Sequence, residues 1–284
     1  MNQTVTACEI GGSRIPALRT PAGACDCHMH FFPADIPASP DGPPPPFPFT
    51  VPMYERIRQR LGLERTIVVQ PSAYQADNTM VVETVRALGA GARGVGVVPE
   101  STTEIEIDRL QRSGIVGQRI HHLPGGVVTF DTMEKVMARV HPFGWHANLQ
   151  SPGEELIAYE AKIRQLPGRF VIDHVGRLAD AASPALDVML RLLDTGRCWI
   201  KLSAPYECSR SGPPDYADVS EVARRLVAHA PERMLWGSNC PFPATSPEGK
   251  PDFADLLDLL LAWAPDEAVR QKILVSNPVE LYGF

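Results

Sequence analysis

Positive charge is in short supply in this sequence. Its 27 lysines and arginines stand against 33 aspartates and glutamates, a net charge of −6 over 284 residues. No basic footprint points to nucleic acid or an anionic membrane surface as a partner. Long apolar runs are missing too: no stretch reaches the ~18 residues of a membrane-spanning helix. The first 20 residues hold no apolar core of signal-peptide length. Cysteine is sparse, with Cys8, Cys25, Cys27, Cys198, Cys208 and Cys240 scattered along the chain. Without a secretory signal, that usage leads us to expect reduced thiols and a cytoplasmic protein. No short-period repeat occurs.

What is present is globular: 44% hydrophobic and 21% charged residues, in a chain long enough to bury a large core. Proline is crowded into one segment, 33–52, with PDGPPPPFPF at its centre. Such density excludes a helix interior or a central strand. The segment reads either as a stiff surface linker or as a rigid loop over a site. Its place directly after the first strand favours the loop.

The rest of the chain alternates. Short apolar runs at 23–32, 65–72, 92–99, 115–122, 145–151, 170–176, 198–206 and 233–241 read as strands. Helical patterns occupy 78–91, 104–113, 132–141, 154–166, 183–195, 216–230 and 252–264. Runs such as RTIVVQ and RFVIDHV suit parallel strands buried on both faces. The expected fold is α/β, a single-domain (β/α)8 TIM-type barrel. Residues 1–20 form an N-terminal extension, residues 21–284 the barrel, and 33–52 a proline-rich loop over its mouth.

In such barrels the chemistry sits at the C-terminal ends of the strands. Strand 1 carries CDCHMHFF, which places His28 and His30 on one face. Two imidazoles there can hold a metal, do acid–base work, or be satisfied structural groups. Cys25 and Cys27 are expected on the opposite, helix-facing side. Later strands end in Gln70 and Ser72, then Arg119, His121 and His122, then Asn148 and Gln150. They are followed by Asp173, His174 and Arg177, by Lys201, Ser203 and Tyr206, and by Ser238, Asn239 and Cys240. Each of these has a structural explanation alone, but together they describe a polar pocket.

The H-x-H of strand 1, IDHVGR on strand 6 and WGSNCP on strand 8 resemble the amidohydrolase superfamily. More narrowly, they are similar to its 2-pyrone-4,6-dicarboxylate lactonase branch. The likeness runs from about Pro21 to the C-terminus and includes QPSAYQADN, GWH and LVSNPVELYGF. In metal-dependent members, the resemblance implies ligands from strands 1, 4, 5, 6 and 8. Here strand 6 supplies His174, but strand 4 offers Arg119 rather than Lys or Glu. Strand 5 has no histidine at its tip, because His146 lies near the opposite end, and the strand-8 Asp is Asn239. We therefore expect no metal and no cofactor.

In the lactonase branch the strand-8 Asp is the general base that activates water. An amide cannot take that proton. Two functions follow. One is isomerisation, in which the substrate's own hydroxyl attacks the lactone carbonyl at high effective molarity. This is similar to the lactone-isomerising members of the branch, which interconvert the 1,5- and 1,4-lactones of galactarate. The other is a lactonase in which Asn239 replaces the catalytic Asp. A sugar-acid binding protein and a metal-dependent decarboxylase are the other-class alternatives. The expected catalytic residues are His28, His30, His174, Arg119 and Asn239, with a histidine of ordinary pKa near 6.5 as proton shuttle. Arg177, Lys201 and Tyr206 are expected to bind the carboxylate of an anionic sugar lactone, and Ser72, Gln150 and Ser203 to read its hydroxyls.

Overall fold

The structure, a computed structural model, describes residues 10–243 and 250–284. Cys8 and the first nine residues of the N-terminal extension lie outside the described residues. Eight strands follow one another in space as they do in sequence: β1 (Cys25–Met29), β2 (Arg65–Val69), β3 (Ala92–Gly96), β4 (Ile115–His121), β5 (His146–Gln150), β6 (Phe170–Ile172), β7 (Cys198–Leu202) and β8 (Met234–Trp236). Every neighbouring pair is parallel. The ring closes where the Asn239 N–H donates to the His28 carbonyl at 2.8 Å and the His30 N–H to the Cys240 carbonyl at 2.7 Å. This is a (β/α)8 barrel.

Helices α1 (Val51–Leu61), α2 (Thr79–Leu88), α3 (Glu104–Arg112), α4 (Met133–Val140), α5 (Glu155–Gln165), α6 (Pro184–Leu193), α7 (Ala217–His229) and α8 (Phe253–Trp263) surround the sheet. Two short ones, α9 (Glu267–Gln271) and α10 (Asn277–Tyr282), end the chain. Helix α1 went unread in the sequence because it starts inside the proline-rich segment. Pro52 sits in its first turn, where a missing N–H costs nothing, and Tyr54, Ile57 and Leu61 form its buried stripe. Helices α9 and α10, of five and six residues, are too short to show a helical period. Residues 10–20 strap the outside: Ile10 and Leu18 are buried, and Arg14 pairs with Asp255 at 2.7 Å.

The main apolar core lies between sheet and helices. A second cluster fills the bottom of the barrel: Val69, Val95, Val171, Trp199 and Leu235, sealed by Leu281 and Tyr282 of α10. Cys25 and Cys27 belong to this inner cluster, which corrects their expected helix-facing position. The pairing of β1 with β2 shifts register between Asp26 and Met29. A bulge of this kind puts one extra residue into the strand. The inward parity therefore passes from Cys25 and Cys27 to His28 and His30. Outward-facing Asp26 accepts from the Ser238 N–H (2.9 Å), the Ser238 hydroxyl (2.6 Å), the Tyr54 hydroxyl (3.0 Å) and the His28 N–H (3.1 Å). It ties the bulge to the β8 end and to α1.

Candidate active site

A cavity of about 380 Å³ opens at the C-terminal end of the barrel. Of the residues expected at the site, His30, Arg119, His174, Asn239, Ser72, Gln150 and Arg177 reach its wall, and Pro43, Pro44 and Pro46 contribute to the rim. His28, Lys201, Ser203 and Tyr206 do not. The loops that aim these side chains are bent at unusual backbone angles: His174, Arg177, Ala204 and Asn239 have φ between 48° and 56°. For residues with a Cβ this left-handed region costs roughly 1–3 kcal/mol each, a cost that proteins concentrate at functional sites.

Beneath the cavity floor lies a one-way hydrogen-bond chain. His30 Nδ1 is 2.8 Å from the Val69 carbonyl oxygen, which can only accept, so Nδ1 carries the hydrogen. His30 Nε2 then holds the lone pair, and His28 Nε2, 3.2 Å away, must donate to it. His28 Nδ1 in turn accepts from Lys201 Nζ at 3.1 Å. Burial, reinforced by the cations Lys201 and Arg119, pushes both imidazoles down to about 3. They are neutral at physiological pH. This corrects the expectation of a histidine shuttle with an ordinary pKa.

Lys201, expected at the substrate carboxylate, is fully buried in this floor. Its ammonium donates to Asn148 Oδ1 at 2.8 Å and pairs with Asp173 Oδ1 at 3.0 Å. Asp173 Oδ2 accepts from Asn148 Nδ2 at 2.6 Å. Burial alone would raise the Asp173 carboxyl, but the Lys201 ammonium holds it well below the usual carboxylate range. Ser203, expected to read hydroxyls, instead bonds His174 Nδ1 at 2.9 Å. That leaves His174 Nε2 without a partner among the described residues, at the cavity wall. Burial takes the His174 pKa down to about 4.

Arg119 donates to the Gln70 carbonyl (2.6 Å), to His121 Nδ1 (3.0 Å) and to Gln150 Oε1 (2.9 Å). Its Nε–H is buried and unpaired. Burial lowers its pKa to about 10, so it stays cationic. Asn239 donates through Nδ2 to the Tyr206 oxygen (2.9 Å) and to Glu207 Oε1 (3.0 Å). Its Oδ1 is buried without a partner, on a side chain at the cavity wall. Tyr206, expected at the substrate, is thus a prop for Asn239.

The sequence reading named Asp173, Asn148 and His121 at strand ends without giving them a role, and it missed Glu207. Asp173, Asn148 and His121 were visible at strand ends, but their partners were not. Glu207 had no such signal, since it lies in a turn (Pro205–Glu207) past the end of β7. Its Oε2 is ion-paired with Arg177. Glu207 is a carboxylate at the mouth that the sequence reading, which considered only Asn239 in place of the strand-8 base, did not include.

The described residues bring the donor atoms of His28, Asp173 and His174 within 4.8 Å of one another. This set does not suit a divalent ion. Both lone-pair positions of His28 and His30 are committed to the chain from Lys201 to Val69. The carboxylate already neutralises an ammonium. At ~4 Å and an effective dielectric near 20, each pair of like unit charges costs about 4 kcal/mol, doubled for a divalent ion.

The amidohydrolase family model matches residues 25–284. The chain belongs to the amidohydrolase family. Among curated amidohydrolase relatives, it is 37% identical to a D-galactarolactone isomerase of Agrobacterium fabrum, covering 92% of this chain and 91% of the relative. It is 31% identical to a 2-pyrone-4,6-dicarboxylate hydrolase of Comamonas testosteroni, covering 94% and 92% respectively. An apo crystal structure from Agrobacterium tumefaciens superimposes with a TM-score of 0.89 at 37% identity, over 95% of this chain and 98% of that one. This amidohydrolase is an enzyme.

Proposed function

We propose that the protein is an intramolecular lactone isomerase that interconverts ring sizes of an anionic sugar lactone, D-galactaro-1,5-lactone to the 1,4-lactone. The observation that carries this reading is Asn239. At the tip of β8 its side chain lines the cavity, with its amide oxygen buried and unpaired while its nitrogen is held by Tyr206 and Glu207. Such a group accepts a hydrogen bond from a substrate hydroxyl and orients it, but cannot take its proton. A hydroxyl held against its own lactone carbonyl has an effective molarity that reaches ~10⁵ M or more in favourable systems. The 37% identity to a galactarolactone isomerase supports the same assignment.

The 4-hydroxyl attacks C1, and the tetrahedral oxyanion develops beside the unpaired Arg119 Nε–H and His174 Nε2. Preorganised donors at such a place lower the barrier without reorganisation. Arg177 faces the substrate carboxylate, and Ser72 and Gln150 read the remaining hydroxyls. Collapse expels the 5-oxygen and leaves the five-membered ring. Hydrolysis is the second reading, favoured by the Glu207 carboxylate at the same wall, which also suits activation of water. NMR on a panel of aldarolactones separates the two. Growth of 1,4-lactone faster than the spontaneous rate, with little ring-opened acid, is the expected result. Dominant ring opening selects the hydrolase, and no rate above background for any lactone overturns both.

A further inference from the structure

We infer that Glu207 is the proton acceptor of the isomerisation proposed above, on which the inference rests: it takes the hydrogen of the attacking hydroxyl and returns it to the leaving ring oxygen. Among the described residues lining the cavity, Glu207 is the one carboxylate. Its side chain is 6% exposed, so it is poised at the cavity with little water around it. Oε1 accepts from Asn239 and Oε2 from Arg177, which leaves each oxygen a lone pair for a substrate proton. The Asn239 amide couples the two partners in the reaction. Its nitrogen fixes the carboxylate, and its oxygen is free to fix the hydroxyl. Arg177 offsets the negative charge of Glu207, which would otherwise repel an anionic substrate.

The other proton-accepting groups at or beneath the mouth are disfavoured by their surroundings; His121 has Nδ1 against Arg119 and Gln150, and burial beside the Arg119 cation keeps its ring neutral. His28 and His30 have both ring nitrogens engaged in the chain from Lys201 to Val69. Protonating His174 would create a buried imidazolium against the ring of His28, 4.6 Å away, and although Glu207 favours that charge, the cost of burial outweighs it. Protonating Glu207 discharges an anion instead. The step balances within the active site. The O–H bond of the 4-hydroxyl breaks as its proton moves to Glu207 and its oxygen bonds C1. The bond from C1 to the 5-oxygen then breaks, and the Glu207 carboxyl returns the proton to that oxygen. No water or external acid is consumed.

The test is ring-size exchange by the intact enzyme and its variants, followed by NMR. Glu207→Gln keeps shape and polarity; its kcat should fall by ~10²–10⁴-fold, the usual cost of losing a positioned base, with KM changed only a few-fold. Glu207→Ala should be equally slow and should regain rate when formate is added, which a purely structural role would not produce. Arg177→Met removes the ion pair but keeps the carboxylate, and should raise KM more than it lowers kcat. Turnover by Glu207→Gln within fivefold of the parent overturns the inference while leaving the isomerase reading intact. So does an equal loss of kcat in Glu207→Gln and Arg177→Met, or no formate rescue in a folded Glu207→Ala. If Glu207→Gln does not fold, the Ala variant and its rescue decide. An inactive parent enzyme overturns the isomerase reading itself.

Discussion

Asn239→Asp would put a second carboxylate where the Asn239 amide nitrogen now lies 3.0 Å from Glu207 Oε1. Two carboxylates this close share a proton, because both cannot ionise without mutual repulsion. While the pair holds one proton, its single ionised carboxylate is engaged by that bridging proton and is a weak base for water. As pH rises through the raised apparent pKa of the pair, the second carboxylate becomes available. We expect isomerisation to fall in this variant and ring opening to appear, growing with pH to ~10²-fold above the parent. Product ratios measured from pH 5 to 9 check this, and a pH-independent ratio would contradict it. The resemblance already marked Asn239 as the odd residue at the strand ends. The sequence could not reveal that Glu207 stands against it, since that contact joins the tip of β8 to a turn beyond β7. Nor could it reveal depth. Lys201 and His174 both read as strand-tip residues, yet one is sealed in the floor and the other lies on the wall.

At the scale of elements, the proline-rich segment forms part of the cavity rim and is held at several points. Phe32 and Phe49 exchange backbone hydrogen bonds at 3.0 and 2.8 Å, and the Ser39 N–H donates to the Ala73 carbonyl at 2.8 Å. The Lys250 ammonium lies 5.3 Å from the centre of the Phe47 ring and donates to the Pro241 carbonyl at 3.1 Å. A wall stiffened in this way loses little entropy when substrate arrives. Replacing Pro43–Pro46 with Gly and Ser should therefore raise KM several-fold while shifting the melting temperature by only a few degrees. An unchanged KM would make the segment a surface linker. The eight strands were legible because parallel strands buried on both faces read as apolar runs. The bulge in β1 was not, since a single register shift leaves no mark on composition. Strict alternation therefore misplaced the cysteines.

At the scale of the molecule, five histidines are held uncharged. Burial is the leading cause for each, and it takes His28, His30, His121 and His146 to about 3 and His174 to about 4. In the unfolded chain these rings bind protons near pH 6.5. The folded state thus binds fewer protons between those limits, and stability present above pH 6.5 is lost as pH falls toward 4. Asp26, whose carboxyl is raised by burial, works in the opposite sense, but it is one group against five. The melting temperature should drop steeply between pH 6.5 and 4 and stay nearly level from 7 to 8. A flat profile down to pH 4 would contradict this charge assignment.

The buried ammonium of Lys201 also bears on how this fold can change over generations. Restoring an acidic residue at position 239 alone leaves the cation in the floor, and the imidazole lone pairs stay occupied. Removing Lys201 first strands Asp173 as an unpaired charge in the barrel interior, an error that typically costs about 3–5 kcal/mol. The intermediate on either route is worse than its parent. A chain that carries this lysine therefore needs coupled changes at Lys201 and Asp173 before the floor of its barrel can exchange one cation for another.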